Sequence, residues 1–268
     1  MTDRLAAAEA LLVDLVGFGS ISGQPNGEIV DYIRTYLESY GVIVHLDPHE
    51  DGQRFNLFAS IGPQIDGGIM LSGHLDVVPA NLTGWSRDPF VLHKQDGRLY
   101  GRGTADMKGF LAIALAMAPA FQEAASQLAN PLHLAFTFDE EVGSFGAAQM
   151  PSMMERLGVK PAIAVVGEPT GMKPFIGHKG GLELIADISG TAGHASDPRG
   201  KVNTLYYAAR LINHLEDKAR SLASQPRYDT LFDPPYTTIS VGHIKGGEAR
   251  NIIADPVSYT HLTLPTKA

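Results

Sequence analysis

The sequence predicts an α/β protein, with a mostly parallel sheet flanked by helices and a second, smaller α+β domain. Short apolar runs bounded by turn residues (GVIVHL, FNLFASIG, GGIMLSG, LHLAFTF, AIAVVGE) alternate with stretches of helical apolar spacing. Alternating strands and helices cover both faces of a sheet, and such sheets run largely parallel. After about Gly177 the texture changes to a half-buried strand pattern, an amphipathic helix and another strand. That βαβ order marks the smaller domain.

In chain order, Leu5, Ala8, Leu11, Leu12 and Leu15 recur at helical spacing, as do Ile29, Tyr32, Ile33, Tyr36 and Leu37. The turn-rich SGQPNG separates these two helices. A third helix is expected from near Asp106 through MKGFLAIALAMAPAFQEA, and a fourth through GAAQMPSMMERLG. In the smaller domain, GGLELIADISG and YTTISVGHIKGG read as strands on either side of the helix NTLYYAARLINHLEDKA. The expected domains are 1–177 and 178–256. There is no internal repeat.

The 268 residues, 44% hydrophobic and 19% charged, suffice for one large or two smaller domains. A net charge of −8 argues against a nucleic-acid surface, which needs a concentrated basic face. With no cysteine, disulfides and thiolate metal sites are excluded, and a cytoplasmic location is expected. The N-terminal helix carries Asp3, Glu9 and Asp14 within its apolar pattern, unlike a signal peptide or a membrane span. A soluble chain without membrane partners is expected.

In open α/β sheets, ligands sit at the carboxyl ends of strands, and four polar clusters fall at such places. They are His74 with Asp76 in SGHLDVVP, Asp106 in GRGTADMKG, Glu140 with Glu141 in FTFDEEVGS, and Glu168 in AVVGEPTG. Each has a purely structural explanation. His74 and Asp76 suit a solvated polar loop, and Asp106 a helix N-cap. The acidic run suits a solvated loop and Glu168 a turn. Taken together, carboxylates and an imidazole at one sheet edge, without cysteine, suit Zn, Co or Mn. A carboxylate able to bridge is what a two-metal site of about 3.5–4 Å requires. Competing chemistries lack their motifs: there is no G-x-S-x-G elbow, and GRGTADMKG has neither the third glycine of a dinucleotide loop nor a G-K-[ST].

The segments SGHLDVVP, GRGTADMKG, DEEVGSFGA and GEPTG, in this order, resemble the M20 metallopeptidase/deacylase family. The resemblance implies amide hydrolysis by two divalent metal ions, Zn or Co, with Mn as a further choice. It implies that His74 and Glu168 hold one metal, that Asp106 bridges to a second, and that Glu141 binds the second. Asp76 would orient His74, and Glu140 would be the general base. GTAGHASDPRGKVN matches the family's lid motif, so His194 is implied to reach across a homodimer, formed through the lid, into the partner's site.

Within the family, RFNLFASIG, GHKGG and FDPPYTTISVGHIKGGEARNIIAD are most similar to acetylornithine deacetylases. That implies N2-acetyl-L-ornithine as substrate and a place in arginine biosynthesis. Lys179 would meet a substrate carboxylate, with a solvated lysine as the alternative, and Asn251 would contact substrate from the lid. Succinyl-diaminopimelate desuccinylase, aminoacylase and glutamate carboxypeptidase activities are the enzymatic alternatives. A non-catalytic, truncated metal-binding relative is the other. The family closes with a long C-terminal part that completes the lid and supplies one more metal-binding histidine. Here the resemblance ends near ARNIIADP, and VSYTHLTLPTKA resembles translated sequencing-adapter read-through. Residues 257–268 are therefore expected to be a non-native tail, with His261 no ligand, and the chain as given to be inactive or nearly so.

Overall fold

The computed structural model describes residues 2–224 and 229–264, with side chains for 3–224 and 229–258. The chain divides into two compact units, Met1–Met172 and Lys173–Ala268, a break slightly before the one expected at 177.

The first unit begins with α1 (Thr2–Gly17) and α2 (Gly27–Ser39). Strands β1 (Val44–Pro48), β2 (Phe55–Ile61) and β3 (Ile69–His74) follow. A short hairpin comes next, β4 (His93–Gln95) and β5 (Arg98–Tyr100). Its two-residue turn, Asp96-Gly97, has φ of +50° and +72°. Positive φ at both positions is the turn type that matches strand twist and favours Asp-Gly. Then come α3 (Lys108–Glu123), β6 (Leu132–Thr137), α4 (Phe145–Leu157) and β7 (Ile163–Val166).

The five-stranded sheet has the order β1-β2-β6-β3-β7. β3 pairs in parallel with β6 and β7, while β2 is antiparallel to β1 and β6. Four strands therefore run one way and only β2 runs against them. The fold is a mixed α/β domain with a mostly parallel sheet.

Period-two alternation sends neighbouring residues to opposite faces. Leu57, Ala59, Ile61, Leu134 and Phe136 join the core under α1, α2 and α3, where Leu15, Val16, Ile33, Leu37, Leu111 and Leu115 are buried. Phe58 and Ala135 face the other way, onto Met150 and Met153 of α4. Each fully buried Leu or Phe stabilises the unit by about 1.5–3 kcal/mol. Leu5, part of the apolar spacing of α1, is exposed. Gly73 lets β3 approach the start of α3 closely: a Cβ there would lie 2.7 Å from Met107 Cε and 2.8 Å from Leu111 Cδ2, and those side chains would have to shift.

The second unit contains β8 (Leu182–Ser189), α5 (Thr204–Ala223), β9 (Thr238–Gly246) and β10 (Pro256–Leu264). Asn203 caps α5, accepting a hydrogen bond from Leu205 N at 3.1 Å, a contact worth about 1 kcal/mol. Its sheet has the order β8-β10-β9, antiparallel throughout. The expected strands β8 and β9 thus have β10 between them. The segment expected as a tail begins at 257, and through Leu264 it forms this middle strand. Residues 265–268 and the side chain of His261 lie outside the described residues. Among the described residues, no helix is long and apolar enough to cross a membrane.

Candidate metal centre

The parallel ladder pairs His74 at the end of β3 with Thr137 at the end of β6. It pairs Ser72 with Val166, the last residue of β7. The strands therefore release His74–Asp76, Asp139–Glu141 and Glu168 at one carboxyl edge of the sheet. Asp106 arrives there from the loop before α3. The N-cap position belongs to Met107, so Asp106 is not the helix cap, and the peptide between them is cis.

Three ligand atoms converge: His74 Nε2 lies 2.9 Å from Asp106 Oδ1 and 3.8 Å from Glu168 Oε1. One ligand atom from each of the three lies within 4.8 Å of those of the other two. The His74 side chain is 1% exposed, whereas those of Asp106 and Glu168 are 47% and 38% exposed, so the site opens on its carboxylate side. His74 Nδ1 lies 2.8 Å from the Asp76 carbonyl oxygen. A carbonyl only accepts, so Nδ1 carries a proton, and Nε2 is the ring atom that faces the two carboxylates. An imidazole nitrogen and two carboxylate oxygens in that arrangement can hold a cation.

The electrostatics show how strongly these groups draw a positive charge. Burial opposes a charged imidazole, yet hydrogen bonds to Asp76 and Asp106 outweigh it and lift His74 from 6.5 to about 9. Burial and the neighbouring carboxylates, Asp106 foremost, push Glu141 and Glu168 upward, against the opposing pull of His74. A divalent ion relieves both repulsions, and one nitrogen with carboxylate oxygens suits Zn, Co or Mn.

Asp76 does more than face His74, whose Nδ1 is 3.6 Å from its Oδ1. Its carboxylate accepts from Ser22 Oγ at 2.6 Å, Glu140 N at 3.0 Å and Glu141 N at 3.3 Å. It thus fixes the backbone of the turn carrying the two glutamates. Glu140 Oε1 accepts from Ser144 Oγ at 3.4 Å. Sequence reasoning missed Ser22, which sits in a turn-rich loop without a motif of its own. It also missed Lys108, whose buried Nζ donates to Leu15 O at 2.8 Å and whose pKa burial lowers to about 8, against the charge of Asp76.

Residues 70–256 match the peptidase family M20/M25/M40. The chain belongs to that family. An M20 metallo-carboxypeptidase from Sulfolobus solfataricus superposes with a TM-score of 0.75 at 20% identity, covering 99% of this chain and 71% of the other. Human carnosine dipeptidase 1 gives 0.65 at 20% identity, with 100% and 71% covered. A dinuclear metal-binding M20 peptidase from Bacillus subtilis gives 0.61 at 16% identity, with 100% and 66% covered. At these identities the likeness is one of fold, and the chain spans about two thirds of the length of such M20 structures.

The remaining expected residues of this M20 chain lie in the second unit. His194 is exposed, and its Nδ1 accepts from the backbone amide of Ser196 at 3.2 Å, with Ser196 Oγ at 2.6 Å. An amide only donates, so the ring proton sits on Nε2. Backbone pairing ties this loop to the segment carrying Asn251: Ala195 N donates to Asn251 O at 2.9 Å and Ile253 N to Gly193 O at 2.8 Å. Lys179 Nζ donates to Tyr236 O at 3.0 Å, so the side chain is anchored.

Proposed function

We propose that this M20 chain is a metal-dependent amide hydrolase that removes the acyl group from an N-acyl amino acid, with N2-acetyl-L-ornithine as substrate and L-ornithine and acetate as products. The observation that carries the reading is the convergence of His74, Asp106 and Glu168 at the carboxyl edge of the sheet. His74 and Glu168 would hold one ion, Zn or Co, with Asp106 shared with a second ion that Glu141 would serve. When bound, such ions lower the pKa of water and polarise a carbonyl.

The chain's own groups do the rest. Glu140, on a turn whose amide is fixed by Asp76, accepts a proton from the attacking water. It then returns the proton to the leaving amine. Asp76 sets the orientation of His74 through its backbone carbonyl. His194 offers an N–H from Nε2, a donor suited to the charge that develops on the carbonyl oxygen. We place it in the partner's site of a homodimer formed through the second unit. Lys179 and Asn251 bind the substrate's polar ends. The carboxylates around His74 suit a polar substrate, and a cytoplasmic location fits such a metabolite.

The test has two parts. Calorimetric titration of the chain with Zn(II) and Co(II) checks the centre, and loss of binding on His74→Ala is expected. Binding unchanged in that variant would overturn the metal reading. Amine release is then measured from acetylornithine, succinyl-diaminopimelate, other N-acyl amino acids and dipeptides. Preference for acetylornithine is expected. Preference for another substrate would refute the substrate but not the centre.

A further inference from the structure

The stretch RFNLFASIG contains the strand β2. Its first and third residues, Arg54 and Asn56, do something more specific. In the antiparallel ladder Leu57 faces Phe136. Continuing that register three residues beyond the pair sets Arg54 opposite Asp139, the residue before Glu140. Asp139 is buried and has φ of +52°, a left-handed conformation that non-glycine residues adopt at a cost.

Its carboxylate is held on both oxygens. Gly23 N donates to Oδ1 at 2.7 Å, and the Arg54 guanidinium pairs with Oδ2. Arg54 is fixed in turn. Its Nε donates to Asp51 Oδ2 at 2.8 Å, a second guanidinium nitrogen lies 3.1 Å from His49 Nδ1, and the group stands 5.7 Å from the Phe138 ring centroid.

Asn56, two residues on and fully buried, grips the same segment. Its Oδ1 accepts from Phe138 N at 3.3 Å and its Nδ2 donates to Gly146 O at 2.9 Å. Gly146 leaves no room for slack, since a Cβ there would lie 2.5 Å from Asn56 Oδ1 and 2.6 Å from Phe138 N. Residues 138–146, which carry both glutamates, are thus clamped at their ends from β2 and in the middle by Asp76.

We infer that Arg54 is a positioning residue for the Glu140–Glu141 turn: by fixing and neutralising the Asp139 carboxylate, it sets the direction in which Glu141 faces the metal centre. The inference rests on the reading that Glu141 is a metal ligand. Without the guanidinium, Asp139 would keep only the Gly23 amide. It would then present an uncompensated buried charge beside Asp76, Glu140 and Glu141, and the turn would relax away from it. A planar fork that bonds two carboxylates at once is a task for arginine, which lysine cannot reproduce.

The test is calorimetric titration of the chain with Zn(II), comparing the parent with Glu141→Ala, Arg54→Ala, Arg54→Lys and Asp139→Asn. Arg54→Ala is expected to weaken binding about tenfold, as loss of a group supporting a ligand does. The loss should approach that of Glu141→Ala, and millimolar guanidinium should restore it, which a general loss of folding would not allow. Arg54→Lys and Asp139→Asn, which alter one side of the pair each, should weaken binding in the same direction if Arg54→Ala does not fold. Weakening by Glu141→Ala with parental affinity in all three clamp variants overturns the role of Arg54. Parental affinity in Glu141→Ala overturns the ligand reading itself, and the inference with it. Weakening of Arg54→Ala that guanidinium leaves untouched, together with a lowered Tm, makes Arg54 a structural residue only.

Discussion

Replacing Asp76 by alanine tests how the glutamate turn is held. The carboxylate is buried and accepts three hydrogen bonds, from Ser22 Oγ at 2.6 Å, Glu140 N at 3.0 Å and Glu141 N at 3.3 Å. Hydrogen bonds to a charged acceptor contribute about 1.5–3 kcal/mol, and a buried donor left without a partner costs about 1–3 kcal/mol. Ser22 keeps a second acceptor, Val77 O at 3.1 Å, so its loss is small. The two amides have no such substitute among the described contacts. Two orphaned amides and a lost charged acceptor together predict a destabilisation of about 3–5 kcal/mol, a large part of the roughly 5–15 kcal/mol of a typical domain. Asp76→Asn keeps one accepting oxygen and should lose about half of that. The assay is urea unfolding followed by circular dichroism in the presence of a chelator, so that metal loss does not contribute. An alanine variant within about 1 kcal/mol of the parent would refute the reasoning, because neither amide could then depend on the carboxylate.

Three further outcomes are expected. Glu140→Gln should abolish amide hydrolysis while leaving metal content intact, whereas Asp106→Ala should lose metal as well; equal metal loss in both, measured by plasma emission, would refute the division of roles. Gly146→Ala should cost about 1–3 kcal/mol by overpacking against Phe138 and Asn56; parental stability in urea would show that the approach is not tight. Burial, against a hydrogen bond to Gly67 O, lowers the pKa of His133 below 6.5. The unfolded chain then binds a proton that the folded chain refuses, so stability should fall as pH drops below 6.5, by up to about 1.4 kcal/mol per unit until the folded-state pKa is reached. His133→Gln should flatten that dependence in urea titrations across the range, and an unchanged slope would count against a neutral His133.

The sheet was legible because its signals are local. LHLAFTF reads as a buried strand, and β6 is buried on both faces of the sheet's middle position. AIAVVGE and GGIMLSG supply its parallel partners in the same way. The hairpin β4–β5 was equally available, since QDGR between short polar strands carries the Asp-Gly turn signal, but its strands are too short and too polar to stand out by periodicity. The strand β10 escaped for a different reason. VSYTHLTL holds Val257, Tyr259, Thr260 and Thr263, residue types that favour strands, but nothing in the segment says where it pairs. Pairing on both sides, with β8 and β9, is a tertiary fact that no window of sequence contains.

The centre divides along the same line. His74, Asp106, Glu141 and Glu168 each follow a strand or precede a helix, so their positions can be read one motif at a time. The groups that aim them cannot. Ser22 meets Asp76 across 54 positions and Arg54 meets Asp139 across 85; the first contact follows from the bridge that sets Ile21 beside Val77, the second from the antiparallel register of β2 on β6. Only those pairings turn a turn-prone serine and an ordinary pre-strand arginine into supports for two glutamates. A ligand set is therefore written in residue types at strand ends, whereas its geometry is written in strand order. That is why the same four motifs, on a sheet with β2 placed elsewhere, would keep the candidate ligands and the Asp76 contacts but lose the hold of Arg54 and Asn56 on residues 138–146.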